Sequence, residues 1–156
     1  MAAELDFHVY RPDRPGIRKV LGDLEAEVME QIWERAAGLG TTVRDVFEVL
    51  YERRLAPAPE ERRRIAYTTV MNTMARLAKK RLLRVEKVDQ AYVYYPTLTQ
   101  EEFVSQIVGQ ILEDLLVSFS GTTIAGLAKL RNQQAAERAR QLLDEIERRR
   151  STEEET

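Results

Sequence analysis

The chain has 156 residues, 44% of them hydrophobic, which is enough for one domain with a core, or a small domain carrying an oligomerisation segment. The absence of cysteine and the single His8 exclude structural zinc sites, thiol nucleophiles, disulfides and cysteine-based copper sensing. The formal net charge is −2, no apolar run approaches the ~18 residues of a membrane span, and the start MAAELDFHVYRPDRPG lacks a signal-peptide pattern, so a cytoplasmic protein without membrane insertion is expected.

Residues 1–20, with Pro12, Pro15 and Gly16, read as an extended N-terminal arm. In LGDLEAEVMEQIWERAAG the residues Leu21, Leu24, Val28, Ile32 and Ala36 share one helical face, and Gly38 and Gly40 follow the end. Trp33 lies beside Val28, Met29 and Ile32, which makes it a core residue rather than a ligand platform. Thr42 stands three residues before Asp45, a capping-box start, and Val43, Val46, Phe47 and Leu50 form the stripe of a second helix ending before Pro57 and Pro59. After the Pro-rich and then basic LAPAPEERRR, the stretch RIAY is apolar enough for a very short strand.

A third helix is predicted over roughly 67–80. Its Val70, Met74 and Leu77 recur at steps of three and four, and Thr68, Thr69, Asn72, Thr73 and Arg76 are read as the other side. Short hydroxyl and amide side chains next to arginine suit a groove lined with hydrogen-bonding edges better than a solvated surface, where Glu and Lys are the usual filling. The candidate partner is double-stranded DNA. LLRVEKV and AYVYYPT then read as a hairpin turning at Asp89-Gln90, with Tyr92, Tyr94 and Tyr95 alternating across a strand. Helix, helix, short strand, helix and hairpin is the order of a winged helix-turn-helix, here spanning 21–97.

Past Pro96, Thr99 and Glu102 form a second capping box, followed by the apolar pairs Phe103/Val104, Ile107/Val108, Ile111/Leu112 and Leu115/Leu116. A last helical segment, broken near Arg131-Asn132, carries Leu142, Leu143 and Ile146. Residues 98–150 are read as a helical homodimerisation region, with Phe103, Ile107, Ile111, Leu112, Leu115, Leu116, Leu142 and Ile146 at the interface. Arg148, Arg149 and Arg150 read as favourable charges at a helix C-terminus, and 151–156 as a disordered acidic tail. The fold class is thus mainly α with a small β-hairpin wing.

The charge is segregated: residues 1–40, 41–96 and 97–156 sum to −3, +5 and −4. Within 62–87, Arg62, Arg63, Arg64, Arg76, Lys79, Lys80, Arg81, Arg84 and Lys87 face only Glu86, a local field that attracts phosphate. Lys79, Lys80 and Arg84 are read as phosphate contacts. No phosphate loop, dinucleotide fingerprint, G-x-S-x-G or H-E-x-x-H occurs, so neither an enzyme nor a cofactor is expected.

LGDLEAEVMEQIW, TVRDVFEVL, IAYTTVMNTMARLAKKRLL, AYVYYPTLTQEEF and FSGTTIAGL together resemble the penicillinase-repressor (BlaI/MecI) family of bacterial transcriptional repressors over about residues 20–128. The resemblance implies a winged-helix homodimer that binds palindromic promoter operators, with Thr68, Thr69, Asn72, Thr73 and Arg76 on the recognition helix. Some members are inactivated by proteolysis triggered by a membrane sensor, and others respond to copper through cysteines. This chain departs from the family pattern. Lys80-Arg81 replaces a Lys-Gly step, which removes the residue that most easily turns the chain at a helix exit. Asp89-Gln90 replaces a Gly-Arg wing tip, removing turn chemistry and a basic contact. No Asn-Phe cleavage pair is present in the expected region, so the inducer, a protease or another signal, does not carry over. Two other readings are a winged-helix protein-interaction module and a ligand-sensing winged-helix regulator.

Overall fold

The computed structural model describes residues 9–35, 37–55 and 65–155. Its elements in chain order are a 3-10 turn at Gly16–Lys19, α1 (Asp23–Glu34), α2 (Val43–Leu55), α3 (Tyr67–Lys79), β1 (Leu83–Val88), β2 (Ala91–Pro96), α4 (Gln100–Ala128) and α5 (Gln133–Glu154). The chain divides into two units, Met1–Val108 and Gly109–Thr156.

In the first unit α2 and α4 start where their capping boxes dictate. The Asp45 carboxylate accepts the Thr42 amide at 2.9 Å while Thr42 Oγ1 accepts the Asp45 amide at 3.2 Å, so two donors that the first turn leaves unbonded are satisfied reciprocally. Thr99 and Glu102 repeat the device at α4, at 2.9 and 3.1 Å. The core is built from Val28, Met29 and Ile32 of α1, Val46 and Leu50 of α2, and Val70, Met74 and Leu77 of α3. Leu82, Leu83 and Tyr94 close it from the hairpin side. Full burial of such side chains is worth about 1.5–3 kcal/mol each, so the helical stripes rather than local propensity hold the three helices together.

The arm expected over 1–20 is not extended where it is described. Arg11 N–H bonds the Lys19 carbonyl at 2.7 Å, and Lys19 Nζ reaches the carbonyls of Pro12 and Arg14 at 2.7 and 2.6 Å. Ile17 and Val20 are buried, which supplies the apolar reason for the chain to fold back. His8 and Arg62, Arg63 and Arg64 lie outside the described residues.

No strand forms at Ile65 and Ala66, and Tyr67, the last residue of RIAY, already begins α3. Thr41 pairs with Tyr94 instead, through N–H to O contacts of 2.9 and 2.8 Å, and so supplies the extra rung beside β2. Gly40 makes this possible: a Cβ there would overlap Val93 Cγ1 and lie 2.9 Å from the Tyr95 ring. β1 and β2 pair antiparallel from Leu83↔Pro96 to Val88↔Ala91. Asp89 and Gln90 close the hairpin with φ of 47° and 68°, the type I′ combination whose twist matches the strands. The hairpin therefore turns at Asp89-Gln90 as the sequence predicts, and does so without glycine.

In the second unit, Phe119 interrupts α4 with φ −138° and ψ 40°. Asn132 caps α5 by accepting the Ala135 amide at 3.0 Å, which confirms the break expected near Arg131-Asn132. α5 runs on to Glu154, so residues 151–154 are helical rather than disordered, and Arg148, Arg149 and Arg150 do not stand at a helix end. Arg148 and Arg149 instead pair with Glu145, each at 2.9 Å. The hydrogen bond from Arg149, aided by the charge of Arg148, holds the Glu145 carboxyl below its usual range.

Candidate nucleic-acid interface

α3 is the element on which the proposed contacts converge. Its inner face, Val70, Met74 and Leu77, is buried against the core, and its outer face presents Thr68, Thr69, Asn72, Arg76 and Lys79. The separation follows from the 100° step per residue: anchoring the apolar stripe aims the polar set outward. Ala66, the N-cap, has no side-chain acceptor, which leaves the first-turn amides of α3 uncapped by side chains.

Thr73 does not belong to the exposed set. It is 0% exposed, and its Oγ1 donates to the Thr69 carbonyl at 2.7 Å while accepting Arg76 Nη2 at 3.3 Å. The reason is angular. Thr73 follows Val70 by three and precedes Leu77 by four, so it lies within the buried stripe rather than across from it. A threonine is small enough to fill that place, and its hydroxyl is satisfied within the helix.

Tyr67 and Met71 share the outer face, and the sequence reading passed over both. Tyr67 packs edge-on against Phe47 of α2, with ring centroids 5.5 Å apart, and Phe47 is 5.4 Å from Tyr51. This aromatic cluster fixes the start of α3 on α2. The available signal was the i, i+4 spacing of Tyr67 and Met71 beside the threonines.

The basic side chains divide by what they touch. Lys79 is exposed on α3. Lys80 is committed elsewhere: its Nζ lies 2.8 Å from Glu25 Oε2 of α1, and the other oxygen of this buried carboxylate accepts the Gly22 amide at 3.1 Å. Lys80 thus ties the end of α3 to the start of α1. Arg84 pairs with Glu86 across one strand position and lies over the Tyr95 ring at 4.6 Å. Tyr92 is exposed, whereas Tyr94 is buried, and burial raises its phenol above the ordinary value, with Tyr92 and Tyr67 adding to the shift.

The residues assigned to dimerisation also separate. Phe103 and Ile107, at 1% and 7% exposure, belong to the core of the first unit. Phe103 lies 5.4 Å from Trp33, whose indole N–H donates to the Leu98 carbonyl at 3.0 Å. The first two turns of α4 therefore complete the winged-helix unit and are spent there. Leu112, Leu115, Leu116, Leu142 and Ile146 are exposed, and Ile111 is half-buried.

Among the described residues there is no cluster of His, Asp or Glu suited to a metal ion, and no helix is long and apolar enough to cross a membrane. A family model described as Penicillinase repressor matches residues 21–148. Two proteins called Transcriptional regulator BlaI, from the CDC 1551 / Oshkosh and ATCC 25618 / H37Rv strains of Mycobacterium tuberculosis, are each 40% identical to the chain over 88 residues. That match covers 56% of this chain and 56% of each relative, about half of their length.

Proposed function

Since the chain belongs to the penicillinase repressor family, a family of transcriptional repressors and not of enzymes, we propose that it represses transcription as a homodimer bound to palindromic operators. The observation that carries this reading is the outer face of α3, where Thr68, Thr69, Asn72, Arg76 and Lys79 stand exposed on a helix anchored by its opposite side. α3 enters the major groove. Asn72 matches an adenine edge, Arg76 a guanine edge or a phosphate, and the threonine methyls a thymine methyl. Lys79 and Arg84 face phosphates, Arg84 after exchanging Glu86 for the backbone. Two-fold symmetry sets the half-sites about one helical turn, ~10 base pairs, or a multiple apart.

The test is fluorescence anisotropy with the DNA upstream of the protein's own gene and a shuffled duplex, titrated at several salt concentrations. Saturation at two protomers per site with tighter binding to the upstream duplex supports the proposal. Each phosphate neutralised adds about −0.9 to the slope of log K against log salt. Arg76→Ala should cost about 1–3 kcal/mol, confined to one base position if it reads a base and spread evenly over all sequences if it holds phosphate. No binding at low salt rejects the DNA reading and turns the basic face towards a protein partner.

A further inference from the structure

The hydroxyl of Thr73 has no packing role that a methyl would not fill. The residue is completely buried in line with Val70, Met74 and Leu77, where valine has nearly the same shape and avoids the desolvation of an oxygen. What the hydroxyl adds is a fixed acceptor. Its hydrogen is committed to the Thr69 carbonyl at 2.7 Å, so its lone pairs face the Arg76 guanidinium, whose Nη2 lies 3.3 Å away. The back-bond to the preceding turn also fixes χ1 of the threonine, so this acceptor does not rotate away.

We propose that Thr73 is a positioning residue: from inside the core it holds the guanidinium of Arg76 in one arrangement on the outer face of α3, and thereby sharpens sequence discrimination without touching DNA. This rests on the reading of α3 as the recognition helix. A free arginine side chain populates many rotamers, and ordering it on binding subtracts from affinity. Here one N–H of Nη2 is occupied by Thr73, which orients the planar group and leaves its remaining donors for a bidentate contact. The ordering cost is met during folding instead of at the operator.

The experiment uses the full chain and a duplex enriched by the wild-type protein from a random-sequence pool, with a shuffled duplex as control. Thr73→Val should weaken binding to the enriched duplex by about three- to tenfold and leave the shuffled one unchanged. Thr73→Ser, which keeps the hydroxyl, should retain wild-type discrimination. In an Arg76→Ala background the valine substitution should have no further effect, since the two side chains act as one unit. In the DNA-free protein, NMR relaxation of the Arg76 Nε–Hε group should report increased mobility in Thr73→Val and not in Thr73→Ser. Unchanged discrimination by Thr73→Val, equal loss on both duplexes, or unchanged Arg76 mobility each overturns the proposal. Failure of the wild-type chain to enrich any duplex overturns the recognition-helix reading itself, and is separable from a Thr73→Val protein that discriminates as well as wild type.

Discussion

Arg81 leaves α3 at φ 65°, in the left-handed region that a Cβ disfavours. Its amide bonds the Ala78 carbonyl and that of Leu82 the Leu77 carbonyl, both at 3.0 Å, which is the Schellman pattern, closed by the buried Leu77 and Leu82. Thr97 Oγ1 clamps the turn from outside by donating to the Arg81 carbonyl at 2.7 Å. The loss of glycine therefore leaves the helix exit in place but strained. Arg81→Gly should raise stability by about 1 kcal/mol, read as a higher urea midpoint at unchanged slope. An unchanged or lower midpoint would show that the arginine side chain outweighs its backbone cost. Single positions were also where the sequence misled: Thr73 is polar in type and interior in place, and Lys80 gives no sign in the sequence of its partner Glu25, 55 residues earlier.

At the scale of elements, the helices were legible because each carries its own period and α2, α4 and α5 carry a start signal as well. Thr42 with Asp45, Thr99 with Glu102, and the break before Asn132 are local chemistry, and local chemistry is written within four residues. The rung at Thr41 was not legible, since a single paired residue has no period to detect and exists only because Gly40 lets the loop lie on Val93 and Tyr95. The beginning of α4 was misassigned for a related reason: a wide apolar stripe states that it needs cover, not which surface covers it. Phe103 finds that cover on Trp33. Phe103→Ala should accordingly destabilise the first unit by about 3–5 kcal/mol, read by urea denaturation followed by circular dichroism. A loss below about 1 kcal/mol would mean that α4 contributes little to this core.

For the whole molecule, the winged-helix architecture and the outer face of α3 followed from pattern, while the division of α4 between two roles did not. Its first two turns are interior to the unit ending at Val108, and beyond them Leu112 and Leu116, at 50% and 48% exposure, remain as uncovered apolar surface. In the homodimer proposed above these leucines are covered by the second copy. Leu112→Glu with Leu116→Glu should then weaken self-association at least about tenfold by sedimentation velocity while the urea midpoint of the first unit stays in place. A protein that sediments identically with and without the glutamates would place self-association elsewhere. The junction that separates the two parts of α4 has an optical consequence. Trp33 is the only tryptophan of the chain, and both its ring contact and its N–H bond reach to residues at or just before the first turns of α4. Its ultraviolet emission is consequently an intrinsic gauge of whether α4 is seated: blue while Phe103 and Leu98 hold the indole, redder when water replaces them, with no label attached.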